Sequence, residues 1–137
     1  MNNNSLDLDD ALADFFDERT GNHIILGMVE PEGDQVSLLQ DPGSGEIDAP
    51  YFNGDRQMAL NYELLYRSKD YLDAREKLTP YANLIDKINN ETVVSKNHSF
   101  ICDHATISGV PFNQIIEPSG EMLWVTNFQV AITKINN

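Results

Sequence analysis

"RQMALNYELLYRSKDYLDAREKL", residues 56–78, changes its period halfway along, and that change decides the fold. Across 56–67, Met58, Leu60, Tyr62, Leu64 and Tyr66 fall on one side, with Gln57, Asn61, Glu63 and Arg67 on the other. A period of two marks a strand with one packed face. After the charged corner Arg67-Ser68-Lys69-Asp70, the apolar residues Tyr71, Ala74, Leu78, Tyr81, Ala82, Ile85 and Ile88 recur at helical spacing. The stretch therefore predicts a long strand that turns into a helix capped by Ser68. Pro80 lies within the stripe; it either bends the helix or begins a second segment capped by Thr79.

On the N-terminal side, "SLDLDDALADFFDER" (5–19) sets Leu8, Ala11, Leu12, Phe15 and Phe16 on one stripe, with an acidic reverse face. That is an amphipathic helix, capped by Ser5 or Asp7 and stopped by "TGN" (20–22). "HIILGMV" (23–29) is apolar on both faces and predicts a central or covered strand. "PEGD" (31–34) reads as a turn and "QVSLLQD" (35–41) as the returning strand of a hairpin. "DPGSGEIDAPYFNGD" (41–55) carries too much Pro and Gly for a helix or central strand, and predicts a protruding loop that presents Ile47, Tyr51 and Phe52. Toward the C-terminus, "NHSFICDHATIS" (97–108) and "FNQIIEP" (112–118) predict strands. The turn "EPSGE" (117–121) then leads into "MLWVTNFQVAITKI", where Trp124, Thr126, Phe128, Val130 and Ile132 share a face. The expected architecture is one α+β domain over residues 1–137. It has a largely antiparallel mixed sheet, two main helices packed on one face, and a protruding loop and hairpin.

Composition narrows the function. Among 137 residues, 22 acids face 9 bases, a formal net charge of −13. No basic cluster is available to neutralise phosphates, so specific binding of DNA or RNA is not expected, whereas an acidic wall would let DNA slide past without sticking. One cysteine, Cys102, allows no intramolecular disulfide and fits a reducing cytoplasm. The N-terminal "MNNNS" lacks the features of a secretory signal, and no apolar run is long enough for a membrane span.

The catalytic repertoire is thin. His98, Cys102 and His104 share one strand face by the period-two rule, but a tight metal site needs three or four ligands. No pattern supplies Cys102 with an activating base. "DLDDALADFFDE" lacks the glycine and terminal glutamate of a calcium loop, and no P-loop, dinucleotide fingerprint, HExxH or GxSxG occurs. The residues thus predict no catalytic, cofactor-binding or metal site. A small hydrolase using carboxylates such as Asp14 with a divalent metal stands as the alternative from another class. What remains is the 41–55 loop and the 117–121 hairpin tip, which either fold back onto their own domain or are buried against other subunits.

Three stretches carry a family resemblance. "VEPEGDQVSLLQDPGSG" resembles the proline, acid, aliphatic and glycine pattern after the first strand of phage tail terminator proteins, often filed as phage minor capsid proteins. "FNGDRQMALNYELLYRSKDYLDAREKL" resembles that family's strand-to-helix centre, and "EPSGEMLWVTNFQVAI" its closing hairpin. The order of the three stretches carries the likeness, since each alone is degenerate. The chain departs from the family in its Asn-rich start, its acidity and residues 89–97.

The resemblance implies a component of a tailed-phage or phage-derived particle, assembled in the host bacterial cytoplasm. It implies a homo-oligomeric ring, typically a hexamer, that caps the tail tube protein, stops tube growth and presents a surface to the head-tail connector protein. DNA would pass through without specific binding, and no membrane or cofactor is involved. By analogy, the contacts would fall on Ile47, Tyr51 and Phe52 and on Pro118, Ser119, Gly120 and Glu121. Arg56 and Arg67 would pair with a neighbour's acidic surface. The nearest alternative is another neck protein, a head-tail connector or tail completion protein.

Overall fold

The structure, a computed structural model, describes residues 6–27, 35–40, 45–50, 56–108, 113–116, 118 and 122–135. The alternating stretch becomes the strand β4 (Arg56–Arg67). It pairs antiparallel along its whole length with β7 (Met122–Lys134), from Arg56 opposite Lys134 to Arg67 opposite Leu123. One face of this ribbon buries Leu60, Tyr62, Leu64 and Tyr66 beside Trp124, Phe128, Val130 and Ile132, as the alternation predicts. Two helices cover that face, α1 (Leu8–Thr20) and α2 (Tyr71–Leu84), and their buried residues join the strands in one apolar cluster. The observed α+β class, with a mixed sheet and both helices on one side, is the expected one.

Two tyrosines tie the layers together. The Tyr62 hydroxyl donates to Asp9 in the first turn of α1 at 2.6 Å, and the Tyr66 hydroxyl donates to Asp73 in the first turn of α2 at 2.8 Å. Burial, reinforced by the Asp9 carboxylate, pushes the Tyr62 hydroxyl far above the usual phenol range, so it stays a donor.

The helix ends differ in detail from expectation. The Asp7 backbone carbonyl accepts the Ala11 N–H, but its carboxylate does not cap α1. Gly21 closes the helix at φ 76°, donating to the Asp17 carbonyl at 3.0 Å. A Cβ there would meet no atom within 4 Å, so Gly21→Ala isolates backbone strain; equilibrium denaturation should show a loss of about 1 kcal/mol. On α2 the cap is Asp70, whose carboxylate accepts the Leu72 N–H at 3.0 Å. Ser68 sits two residues earlier, accepting the Asp70 N–H at 3.1 Å and donating to the Asp73 carboxylate at 3.0 Å. It organises the corner without capping the helix. Pro80 lies inside a continuous α2, which tightens into a 3₁₀ turn at Ile85–Lys87.

The flanking strands correct two expectations. β1 (Ile25–Leu26) is a two-residue edge strand that runs parallel to β2 (Ser37–Gln40), so the described parts of 23–41 do not pair as an antiparallel hairpin, and the strand found within 23–27 is not a central one. The Asp17 carboxylate accepts the Ile24 N–H at 2.8 Å, and the buried Ile24 side chain fills the core; helix contacts take what a longer strand would have used. The second correction is β3 (Gly45–Pro50), which lies inside the stretch expected to protrude as a loop and pairs with the first half of β4. β2 occupies the other half on the same side of β4, with a shifted register between the two. β5 (Phe100–Ile107) and β6 (Asn113–Ile116) divide the outer side of β7 in the same way. Proline and glycine disfavour central strands, and β3 is an interrupted flanking strand with an irregular ladder, where they are tolerated.

Candidate assembly surfaces

The structure separates the residues expected to make contacts into two groups. Ile47 lies in β3 and Arg56 begins β4, opposite Pro50, at one end of the sheet. Arg67 ends β4 opposite Leu123, and Pro118 is an exposed turn residue after β6, at the other end. With about 3.3 Å per strand residue, the two groups stand some ~36 Å apart. Arg67 is half-buried and engaged in interactions within its own chain. Tyr51, Phe52, Ser119, Gly120 and Glu121 lie outside the described residues.

The end holding Arg67 also displays apolar surface that the periodicity did not assign to contacts. Tyr71, expected on the buried stripe of α2, is 48% exposed and packs its ring 5.4 Å from Trp124, whose indole N–H donates to the Ser68 carbonyl at 2.9 Å. Leu72 beside it is 61% exposed, and Ile116 on β6 is 70% exposed. Ile116 lies opposite Met122, on the helix-bearing side of the ribbon. The available signal was Leu72 itself, an apolar residue off the stripe in the first turn of a helix.

A buried polar knot anchors the opposite side of the helical layer. Freed from capping, the Asp7 carboxylate accepts from Ser95 Oγ at 2.7 Å, Ser99 Oγ at 3.1 Å, and the backbone N–H groups of Lys96 and Asn97 at 2.8 and 3.2 Å. Burial pushes this carboxyl up, but the four hydrogen bonds to the charged form outweigh it and hold the carboxyl below its ordinary value. The knot fastens the start of α1 to the segment before β5. The positive φ of His98, 60°, falls within that segment.

The strand carrying the histidines and cysteine does not gather them. A register shift between Cys102 and His104 breaks the alternation, so Cys102 faces the core while both Asp103 and His104 face outward. The bulge overturns the expected shared face of His98, Cys102 and His104. Cys102 is buried, and burial with the nearby Asp103 carboxylate pushes its thiol up to about 12, leaving it protonated and unreactive at neutral pH. Among the described residues no group of three or more His, Cys, Asp and Glu is arranged to hold a metal ion. Nor is any helix among the described residues long and apolar enough to cross a membrane. One cleft, of about 530 Å³, lies between the end of α1, the approach to β2 and α2. It mixes Arg19, His23 and Lys77 with Glu76.

No sequence-family model matches this chain, and no curated protein matches it by sequence. Its fold is similar to that of a chain in the virion of a native gene transfer agent (GTA) particle, at 12% sequence identity and a TM-score of 0.56. The match covers 92% of this chain and 94% of that one, so the likeness is one of whole fold and not of a shared fragment.

Proposed function

We propose that this chain is a structural protein of a tailed-phage or phage-derived particle: a tail terminator that forms a ring, typically of six copies, on the end of the tail tube. The end-to-end fold likeness to a chain of the gene transfer agent virion carries the reading. Within it, the order of the three terminator-like stretches favours the terminator over other virion roles. The ring stops tube growth and presents a docking surface for the head connector. In this reading it works by binding and not by turnover. The net charge of −13 suits a wall past which DNA slides.

Electron microscopy of particles lacking this protein tests the reading. Tubes of uncontrolled length that fail to join heads, rescued by adding the purified protein, are the expected result. Normal tubes of fixed length would overturn it. Binding to filled heads with no effect on tubes would place the chain one layer away, as a head-tail connector or tail completion protein.

A further inference from the structure

β5 is the last strand on its side of the sheet: its inner side pairs with β7, and no strand among the described residues lies beyond it. Val94, in the preceding segment, bridges to Ile101 and covers part of its first half. The bulge between Cys102 and His104, beside the Asp103 carboxylate, blunts the middle as edges commonly are blunted. Beyond the bulge, Ala105-Thr106-Ile107 has neither charge nor proline to protect it. The Ser108 N–H donates to the Asn127 carbonyl at 2.9 Å, so in the unbroken antiparallel register Thr106 also turns its backbone groups toward β7. Ala105 and Ile107 therefore turn their N–H and C=O groups outward, and among the described residues these groups find no partner within the chain. A groove of about 380 Å³ runs beside them on the helix-bearing side. Ala105 and Ile107 form one wall and Ala82 and Ile85 the other, with Asn83 and Asp86 exposed at the rim. It stays open because Ala82 and Ala105 each carry only a methyl group.

We propose that this edge and groove form a peptide-binding site, in which an extended segment of a partner protein adds to β5 as an antiparallel strand. The outward backbone groups of Ala105 and Ile107 call for a strand, and not for a helix or a small molecule, to satisfy them. A partner residue placed opposite Ala105 or Ile107 sends its side chain to the same face of the sheet, into the groove. A β-branched aliphatic group fits there against Ala82, Ile85 and Ile107. The alternate side chains fall on the opposite face, where Asp103 is exposed and accepts from the Thr133 hydroxyl at 3.3 Å; bases suit those positions. A net charge of −13 also draws a cationic segment toward the chain. A second copy offers no such strand, because the described strands carry Lys or Arg only at the ends of β4 and β7, as Arg56, Arg67 and Lys134. The site is independent of the terminator role, since it needs only the sheet edge and the groove.

The test is titration of the purified full chain, at physiological salt, with a short capped peptide of alternating valine and lysine, read by calorimetry and by amide hydrogen exchange in NMR. Binding should saturate at one peptide per chain. It should slow exchange at Ala105 and Ile107 by about tenfold or more, while Thr106, already bonded to β7, changes little. Methylating the backbone nitrogens of the valines, which would face the edge, should abolish binding; methylating those of the lysines should leave it nearly unchanged. Ala82→Leu, which fills the groove with a good helix former, should weaken binding about tenfold or more with circular dichroism unchanged. Asp103→Asn should weaken it about threefold. Equal binding by the valine-methylated peptide would reduce the effect to charge attraction and overturn the proposal, as would protection that misses Ala105 and Ile107. Slowing of these two amides with rising protein concentration and no peptide would give the edge to a second copy, and overturn it equally. Tube capping is not a readout here, so the outcome bears on this edge alone.

Discussion

Replacing Phe128 by alanine should lower the unfolding free energy by about 3–5 kcal/mol, the largest effect expected of a single substitution here. Phe128 is fully buried on an inner strand. Its ring stacks on Tyr62 at 5.6 Å and meets Phe16 edge-on at 6.2 Å, so it touches β4 and α1 together. Deleting it opens a cavity where the sheet and the helical layer join, and the close-packed surroundings can relax only in part. Phe128→Leu, which refills much of the volume, should recover more than half of the loss. Chemical denaturation of the three proteins, read by circular dichroism, checks both statements. A loss below about 1 kcal/mol for Phe128→Ala would mean that the sheet and α1 do not share one core.

The second large effect is expected at Asp7. Asp7→Ala removes the acceptor for two buried serine hydroxyls and two backbone N–H groups at once, and should cost about 2–4 kcal/mol at neutral pH. Its pH dependence has a definite sign. A carboxyl held below its ordinary value of 3.8 in the folded chain contributes its stability in full above that value. That contribution fades as pH falls through the lower, folded-state value, because the protonated acid accepts fewer hydrogen bonds. The difference between wild type and Asp7→Ala should therefore be flat from pH 8 to about 5 and shrink below 3.8. Melting temperatures of both proteins across that range measure it. A difference that grows on acidification would refute the assignment of Asp7 as the charged acceptor.

The parts of the fold legible in the sequence are those governed by a single period. β4 falls on the residues whose alternation predicted it, and its buried face is the predicted one, because a strand between two partners has no freedom to shift phase. Ala74, Leu78, Tyr81, Ile85 and Ile88 likewise keep the predicted stripe into the core. The unread parts depend on tertiary partners. Nothing local says that β1 runs parallel to β2, since that direction follows from Asp17 and the core holding Ile24 in place. β3 escaped notice because a flanking strand beside β4 tolerates the proline and glycine that normally argue against one. The bulge after Cys102 moved His104 to the other face, a one-residue event without a period.

For the surfaces, sequence reasoning singled out projecting loops, where special-backbone residues stand out. It passed over Tyr71 and Leu72 as exposed residues. Exposure of an apolar helix residue depends on where the covering layer ends, which no local pattern encodes.

The pairing of Arg56 with Lys134 and of Arg67 with Leu123 means that β7, the latest strand in the sequence, is not an edge but sits between β4 and β5. A nascent chain broken off before residue 122 would leave two strands with no bridge between them and the aromatic centre unfilled. Such a fragment lacks the inner strand that joins the two halves of the sheet, so the native fold forms only once residues 122–134 have been made.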